Sequence, residues 1–148
     1  METVEIIKTT EDAKELDELL WLVLWKPLGL PRGIRKDFVV DGEEIEIAAM
    51  QDGHIIGGIV GVRTSPNETE LRHLAVHPEA QRNGKGRRLV EELVRICTAS
   101  GCKRIHTIAR NTSAGFFRKA GFQAAHGQPP EHPIFLKHGI TFELMEKT

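Results

Sequence analysis

The chain has 148 residues and a formal net charge of −1 at pH 7, which predicts one domain, residues 1–148, that is large enough to bury a core. A charge so close to zero argues against a general attraction to nucleic acid or to an anionic membrane. Two cysteines are too few for a disulfide framework, so reduced thiols and a cytoplasmic location are expected. No apolar run approaches the roughly 20 residues of a membrane span, and the acidic N-terminus is unlike a signal peptide.

The first part of the chain predicts a strand, a helix and a hairpin. Thr9 or Thr10 can cap the helix, and Pro27 ends it because proline lacks the N–H that a helix needs. Trp21 and Trp25 lie off its apolar stripe and either face a pocket or pack inside. Asp52-Gly53 supplies the hairpin turn. The predicted strands here are residues 3–8, 44–50 and 54–63.

The segment from Leu71 to Cys97 predicts a strand, a glycine loop and a helix. Pro78 ends the strand, and apolar residues recur at helical spacing after Gly86. Such a turn directs free backbone N–H groups and the positive end of a helix at one point, which binds phosphate or another anion. Gly-Lys-Ser/Thr is missing, so the loop is not a Walker P-loop.

The rest of the chain continues the mixture of strands and helices. Strands are predicted at 102–109, 122–125 and 140–145. Asn111 or Thr112 can cap a short helix that runs to Ala120, and a polar, proline-rich loop covers residues 127–133. Strands outnumber helices and the two alternate, so the fold class is α/β or α+β in one domain.

Two motifs resemble the GNAT N-acetyltransferase superfamily. Gln81-x-x-Gly84-x-Gly86, after Leu74-Ala75-Val76-His77-Pro78, resembles the family's acyl-CoA pyrophosphate signature. A second motif is similar to the segment beside the pantetheine arm: Ala109-Arg110, Ser113, Phe116-Phe117, Lys119 and Gly121-Phe122. The tail, residues 137–145, is weakly similar to the ElaA-like branch. The resemblance implies a GNAT-like domain with a mixed, mostly antiparallel central sheet flanked by helices.

The resemblance also implies an activity, which is direct transfer of an acetyl group from acetyl-CoA to an amine. Acetyl-CoA is then the cosubstrate, the acceptor is a small-molecule or peptide amine, and no metal is required. A homodimer is a further expectation, whereas nucleic acid and membrane are not expected partners. The implied CoA-binding residues are Leu74, Ala75, Val76, Gln81, Arg82, Asn83, Gly84, Lys85, Gly86, Arg87, Asn111, Ser113, Phe116 and Phe117.

Two residues are candidates for the base that takes the proton of the amine. Glu70 is the first, because it lies six residues before Val76, where some members of the family carry a glutamate base. Its alternative role is that of a solvated strand-end carboxylate. His73 is the second, since imidazole titrates near neutral pH; its alternative role is structural. On a regular strand Glu70 shares a face with Arg72 and Leu74, and His73 points the other way unless a bulge intervenes.

Phe117 departs from the family pattern, which usually has a tyrosine there. Phenylalanine has no proton for a leaving thiolate, although a thiol with a pKa near 8.5 is a tolerable leaving group without help. This departure keeps a second hypothesis open, a non-catalytic acyl-CoA-binding or sensing module on the same fold.

Overall fold

A seven-stranded sheet runs through residues 2–148, which are the residues described in the computed structural model. The strands are Glu2–Ile6 (β1), Glu43–Gln51 (β2), His54–Ser65 (β3), Glu68–Val76 (β4), Arg104–Arg110 (β5), Gln123–Ala124 (β6) and Phe142–Lys147 (β7). The α-helices are Thr10–Leu20 (α1), Lys85–Ala99 (α2), Ala114–Lys119 (α3) and Pro133–Lys137 (α4). A π-helical turn, Trp21–Trp25, extends α1.

The sheet order is β1-β2-β3-β4-β5-β7-β6, and only β4 and β5 are parallel neighbours. This mixed, mostly antiparallel sheet confirms the predicted fold class. The parallel pairing joins Glu68–Leu71 to Arg104–Thr107 and goes no further. Beyond Leu71 and Thr107 the two strands separate, and the gap between them positions the candidate site.

Two apolar clusters cover the two faces of the sheet. One is centred on α2 and α3 and the other on α1, its π-helical turn and α4. β3 lies between them and carries glycines where the helices come closest: a side chain at Gly58 would overlap Leu16 of α1, and one at Gly61 would meet Leu93 of α2. The glycines of this strand therefore mark close approach, by helix side chains in each case.

A β-bulge interrupts β4 at Arg72. Val60 of β3 pairs with His73 and Gly61 pairs with Leu71, so Arg72 is the extra residue. The bulge turns both Arg72 and His73 toward the α1 face, where His73 meets Trp25. The alternation expected of a regular strand therefore ends at Arg72, and the exception expected for a bulge applies: His73 shares its face with Glu70, and Leu74 packs with the α2 cluster instead.

Two local predictions differ from the structure near the C-terminus. The residue before α3 is Ser113, neither Asn111 nor Thr112. Residues 133–137 form α4, because Pro133 suits the first helical position and the Nδ1 of His132 accepts a hydrogen bond from the N–H of Ile134 at 3.3 Å. Within residues 2–148 no helix combines the length and the apolar character needed to cross a membrane.

Candidate active site

A cleft of about 750 Å³ occupies the gap between β4 and β5. One end, here called the loop end, is formed by residues 81–87 except Asn83. The opposite end, here called the arginine end, is formed by side chains from separate segments: Trp25, Phe38, Arg72, His73, Arg110 and Phe135. The cleft thus connects a backbone turn to a side-chain pocket across the open part of the sheet.

The loop end presents backbone N–H groups that have no partner. Arg82 and Gly84 have φ angles of 73° and 74°, in the left-handed region, and α2 begins directly afterwards. The first hydrogen bond into the helix comes from the N–H of Arg88 to the oxygen of Gly84, at 3.0 Å. Among the described residues nothing accepts from the N–H groups of residues 85–87. These donors and the positive helix end suit an anion such as a pyrophosphate.

Acidic side chains neutralise part of the positive charge at this end. Glu2 of β1 pairs with Arg88 and lies 3.4 Å from the Nζ of Lys85. Arg87 lies 3.8 Å from Glu91. Arg82 makes no ion pair within residues 2–148. The backbone N–H groups, rather than a surplus of cations, are therefore the main feature that can hold an anion here.

The middle of the cleft is the unpaired edge of β4. The hydroxyl of Thr107 donates to the oxygen of Leu71 at 3.0 Å and closes the paired segment. After that point every second N–H of β4 points toward the gap without a strand to receive it. Such an N–H can donate to a carbonyl oxygen that lies between the strands.

On the α3 side, Phe117 faces the same cleft and is only 5% exposed. Its ring meets the edges of Phe116 and Phe122, with centroids 5.2 and 5.3 Å away. Phe117 therefore belongs both to the core and to the wall of the cleft, and it brings no hydroxyl.

His73 is a neutral imidazole in the arginine end. Its ring lies edge-on to Trp25, with centroids 5.1 Å apart. Burial, together with the positive charges of Arg72, Arg35 and Arg110, lowers the pKa of His73 to about 3. The ring is therefore unprotonated at neutral pH and can accept a hydrogen bond, but it is a weak base.

Glu70 is buried, with 8% of its surface exposed, and it does not line the cleft. Its carboxylate pairs with Arg72 and lies 3.1 Å from the Nε2 of His106. Burial raises the pKa of Glu70, but the hydrogen bonds from His106 and Arg72 outweigh it and bring the pKa below its ordinary value of 4.5. Glu70 is thus ionised and already engaged by two partners.

The structure brings most of the implied CoA-binding residues together along the cleft: Leu74, Ala75, Val76, Gln81, Arg82, Gly84, Lys85, Gly86, Arg87, Ser113, Phe116 and Phe117. Asn83 and Asn111 do not line it. The side chain of Asn111 accepts from the N–H of Thr141 at 3.1 Å and so fixes the approach to β7. Of the tryptophans, Trp25 lines both the cleft and an adjoining second cavity, whereas Trp21 lines only the second cavity.

Sequence reasoning missed most of the arginine end. Phe38 and Phe135 lie outside the predicted helices and strands, and no local pattern connects them to β4. Arg110 stood within a recognised motif, but its direction depends on the alternation of β5. The described residues contain no group of three or more side chains that could hold a metal ion.

Comparisons with known proteins agree with this geometry. The model of the "Acetyltransferase (GNAT) family" matches residues 10–122. Escherichia coli ElaA has 13% identity and a TM-score of 0.81, with complete coverage of both chains. Tetrahymena GCN5 has 22% identity and a TM-score of 0.75, covering 98% of this chain and 94% of its own.

A third similar structure was solved with a ligand. The PaiA N-acetyltransferase from Thermoplasma acidophilum, in complex with coenzyme A, has 19% identity and a TM-score of 0.71, covering 99% of each chain. At these identities the structural likeness concerns the fold. The match of the family model over most of the chain establishes membership, and the protein belongs to the GNAT acetyltransferase family.

Proposed function

We propose that the protein transfers an acetyl group directly from acetyl-CoA to an amine. The observation that carries the proposal is one continuous cleft that joins a phosphate-type helix start to the unpaired edge of β4. A pyrophosphate suits the N–H groups of residues 85–87, and Gly84 leaves open space for it. The pantetheine arm then follows the gap between β4 and β5, beside Phe116.

The amine nitrogen attacks the thioester carbonyl, and an N–H of β4 between Arg72 and Val76 stabilises the negative oxygen that forms. When the carbonyl reforms, the C–S bond breaks and the thiolate of CoA leaves with the bonding electrons. Phe117 offers no proton, so the thiolate takes one from water or from the substrate ammonium. The amine loses one proton overall, which balances the reaction.

His73 is the better placed of the two candidate bases, because it lines the cleft and Glu70 does not. Its neutral ring can accept a hydrogen bond from the attacking amine and orient the nitrogen. With a pKa of about 3 it cannot hold the proton, which passes on to water. Glu70 acts as a positioning residue, since it holds Arg72 at the edge of the cleft.

Release of free CoA thiol from acetyl-CoA, measured with a panel of amines, tests the proposal. Acetylated amine should appear in step with the thiol, and mass spectrometry should find no acetylated protein when the amine is omitted. Glu70→Gln should lower the rate together with thermal stability, whereas His73→Phe should lower the rate alone. Thiol release without any acetylated amine would contradict acetyl transfer.

The second candidate function, an acyl-CoA-binding or sensing module, is favoured by Phe117 in place of tyrosine and by the engaged carboxylate of Glu70. It predicts that acetyl-CoA binds and that no amine in a broad panel releases CoA. Calorimetry with acetyl-CoA, run beside the thiol assay, separates the two functions.

A further inference from the structure

Arg110 is a half-buried cation in the arginine end of the cleft with no carboxylate beside it. The Nη2 of Arg110 donates to the backbone oxygen of Leu24 at 3.0 Å, and the guanidinium lies 5.3 Å from the centre of the Phe135 ring. No acidic side chain of residues 2–148 lies within ion-pairing distance of it. The other two arginines around His73 differ, since Arg72 pairs with Glu70 and Arg35 pairs with Glu46 at 2.7 Å.

The position of Arg110 places it opposite the part of β4 where acetyl transfer is proposed. Leu71 and Thr107 are the last paired residues of the two strands. Because Arg72 is an extra residue in β4, three ladder positions further on stand Ala75 and Arg110. Along β5 the buried residues alternate with the others, so Arg110 points away from the α2 core. It therefore faces the side of the cleft opposite α3, which is the side left for the acceptor.

The surroundings of Arg110 make an anionic partner favourable. Trp25, Phe38 and Phe135 form an apolar wall, and burial lowers the pKa of Arg110, although the group stays charged. A guanidinium withdrawn from water gains most from a carboxylate that takes two of its N–H groups at once. A single backbone carbonyl leaves most of these donors for a ligand.

We propose that the acceptor is an apolar amino acid whose carboxylate binds Arg110 while its side chain packs on Phe38 and Phe135. This inference rests on the proposed acetyl transfer and names its substrate class. Neutral His73 adds no positive charge where the amine must lie. The unpaired charge of Arg110 would repel a polyamine, so a polycation is the wrong class of acceptor.

The first test compares three amino acids with their amides, which lack only the negative charge. CoA release is measured with phenylalanine, leucine and methionine, with the three amides, and with spermidine. Each acid should exceed its amide by about 10- to 100-fold in kcat/KM, as expected for hydrogen bonds to a charged group. Arg110→Met should abolish this ratio with an unchanged KM for acetyl-CoA, and Arg110→Lys should restore part of it.

Arg118→Met is the matched control, because Arg118 pairs with Glu143 on the outside of α3 and does not line the cleft. It should keep the preference for acids. If Arg110 only ties Leu24 to β5, then Arg110→Met lowers thermal stability and slows acids and amides equally. That result, or amides equal to acids in the unaltered protein, would overturn the inference.

A binding measurement keeps the inference separate from acetyl transfer. Calorimetry with the CoA-loaded protein compares N-acetylphenylalanine with N-acetylphenylalaninamide. Tighter binding of the acid, lost in Arg110→Met, supports the carboxylate site even if no amine is acetylated, and in that case only the proposed function fails. Equal binding of acid and amide, or binding of neither together with no reaction of any acid, refutes the carboxylate site.

Discussion

The two ends of the cleft are built in different ways. The loop end is a contiguous turn whose hydrogen-bond donors are backbone N–H groups. Its geometry therefore depends on which residues can adopt left-handed φ angles. The arginine end gathers side chains from five segments spread between Trp25 and Phe135. The comparison suggests a division of roles. Binding of CoA, as proposed, depends on the backbone, whereas selection of the acceptor depends on side chains, which can be exchanged one at a time.

The largest effect is expected at the loop end. Gly84→Val strains a left-handed position by roughly 1–2 kcal/mol and puts methyl groups into the open space where phosphate is proposed to bind. Losing two charge-assisted hydrogen bonds should weaken CoA binding by about 10²- to 10⁴-fold in calorimetry. Gly53→Val is the control, since Gly53 has a φ of 82° and open space in the β2–β3 turn. Equal losses in both variants would mean that strain, rather than the phosphate site, is responsible.

The variant Phe117→Tyr tests whether the middle of the cleft can supply an acid to the departing thiolate. The new hydroxyl gives the departing thiolate a donor, and a well-placed general acid contributes roughly 10²–10⁴-fold. We expect kcat to rise by about 10- to 100-fold if thiolate departure limits the rate. Phe122→Tyr buries a hydroxyl beside the same aromatic cluster without facing the cleft and should not accelerate the reaction. A rise in both variants would contradict acid catalysis from position 117.

His73, in the arginine end, should make the free energy of unfolding depend on pH. His73 has a pKa of about 3 in the folded protein, compared with an ordinary value of 6.5. Below pH 6.5 the unfolded chain therefore binds a proton at this imidazole that the folded chain does not bind. Stability should therefore fall as the pH falls from 6.5 towards 3, with a loss of about 2 kcal/mol between pH 7 and pH 5. Urea unfolding at the two pH values should show a smaller drop for His73→Phe than for the unaltered protein. The exposed His126→Phe should keep the full drop, and an unchanged drop in His73→Phe would show that this imidazole is not the cause.

The smallest effect concerns the charge that Glu2 removes from the loop end. Glu2→Gln releases Lys85 and Arg88 and should tighten CoA binding by a few-fold, because ion pairs that are partly open to solvent contribute roughly 0–1 kcal/mol. The gain should shrink at high salt. Glu92→Gln removes a partner of Arg95 further along α2 and should leave CoA affinity unchanged. Weaker binding in Glu2→Gln would mean that Glu2 orders the loop instead of neutralising it.

Sequence patterns were sufficient for the elements whose causes are local. Thr9 caps α1, Asp52-Gly53 turns between β2 and β3, and α2 follows the glycine loop, each through residues that are neighbours in the chain. The helix begins at Lys85, earlier than the predicted start after Gly86. The bulge at Arg72 has no local signal, since it depends on how β4 pairs with β3. For the same reason the sequence could assign the face of His73 only on the condition that no bulge intervened.

The role of each buried charge was equally beyond the sequence. By resemblance Glu70 was expected to be a base, yet its two partners come from positions 72 and 106, and the second lies on another strand. Arg110 differs from Glu70 because it has no partner of opposite charge within residues 2–148, and nothing along the chain indicated that no carboxylate would lie beside it. Which charges are satisfied is decided by tertiary packing, and that is where acceptor selectivity is expected to lie.

The bulge in β4 also affects how this strand tolerates changes of length. Before Arg72 the odd-numbered residues of β4, such as Leu71, face the α2 cluster, whereas after it the even-numbered residues, such as Leu74, do so. The extra residue produces this change in the alternation. Deleting Arg72 would give a regular strand in which Leu74 and Val76 stay with the α2 cluster and Ala75 stays with the α1 cluster. A deletion beyond the bulge, by contrast, would exchange the faces of all the residues that follow it, so a change of length by one residue is compatible with the fold only at the bulge.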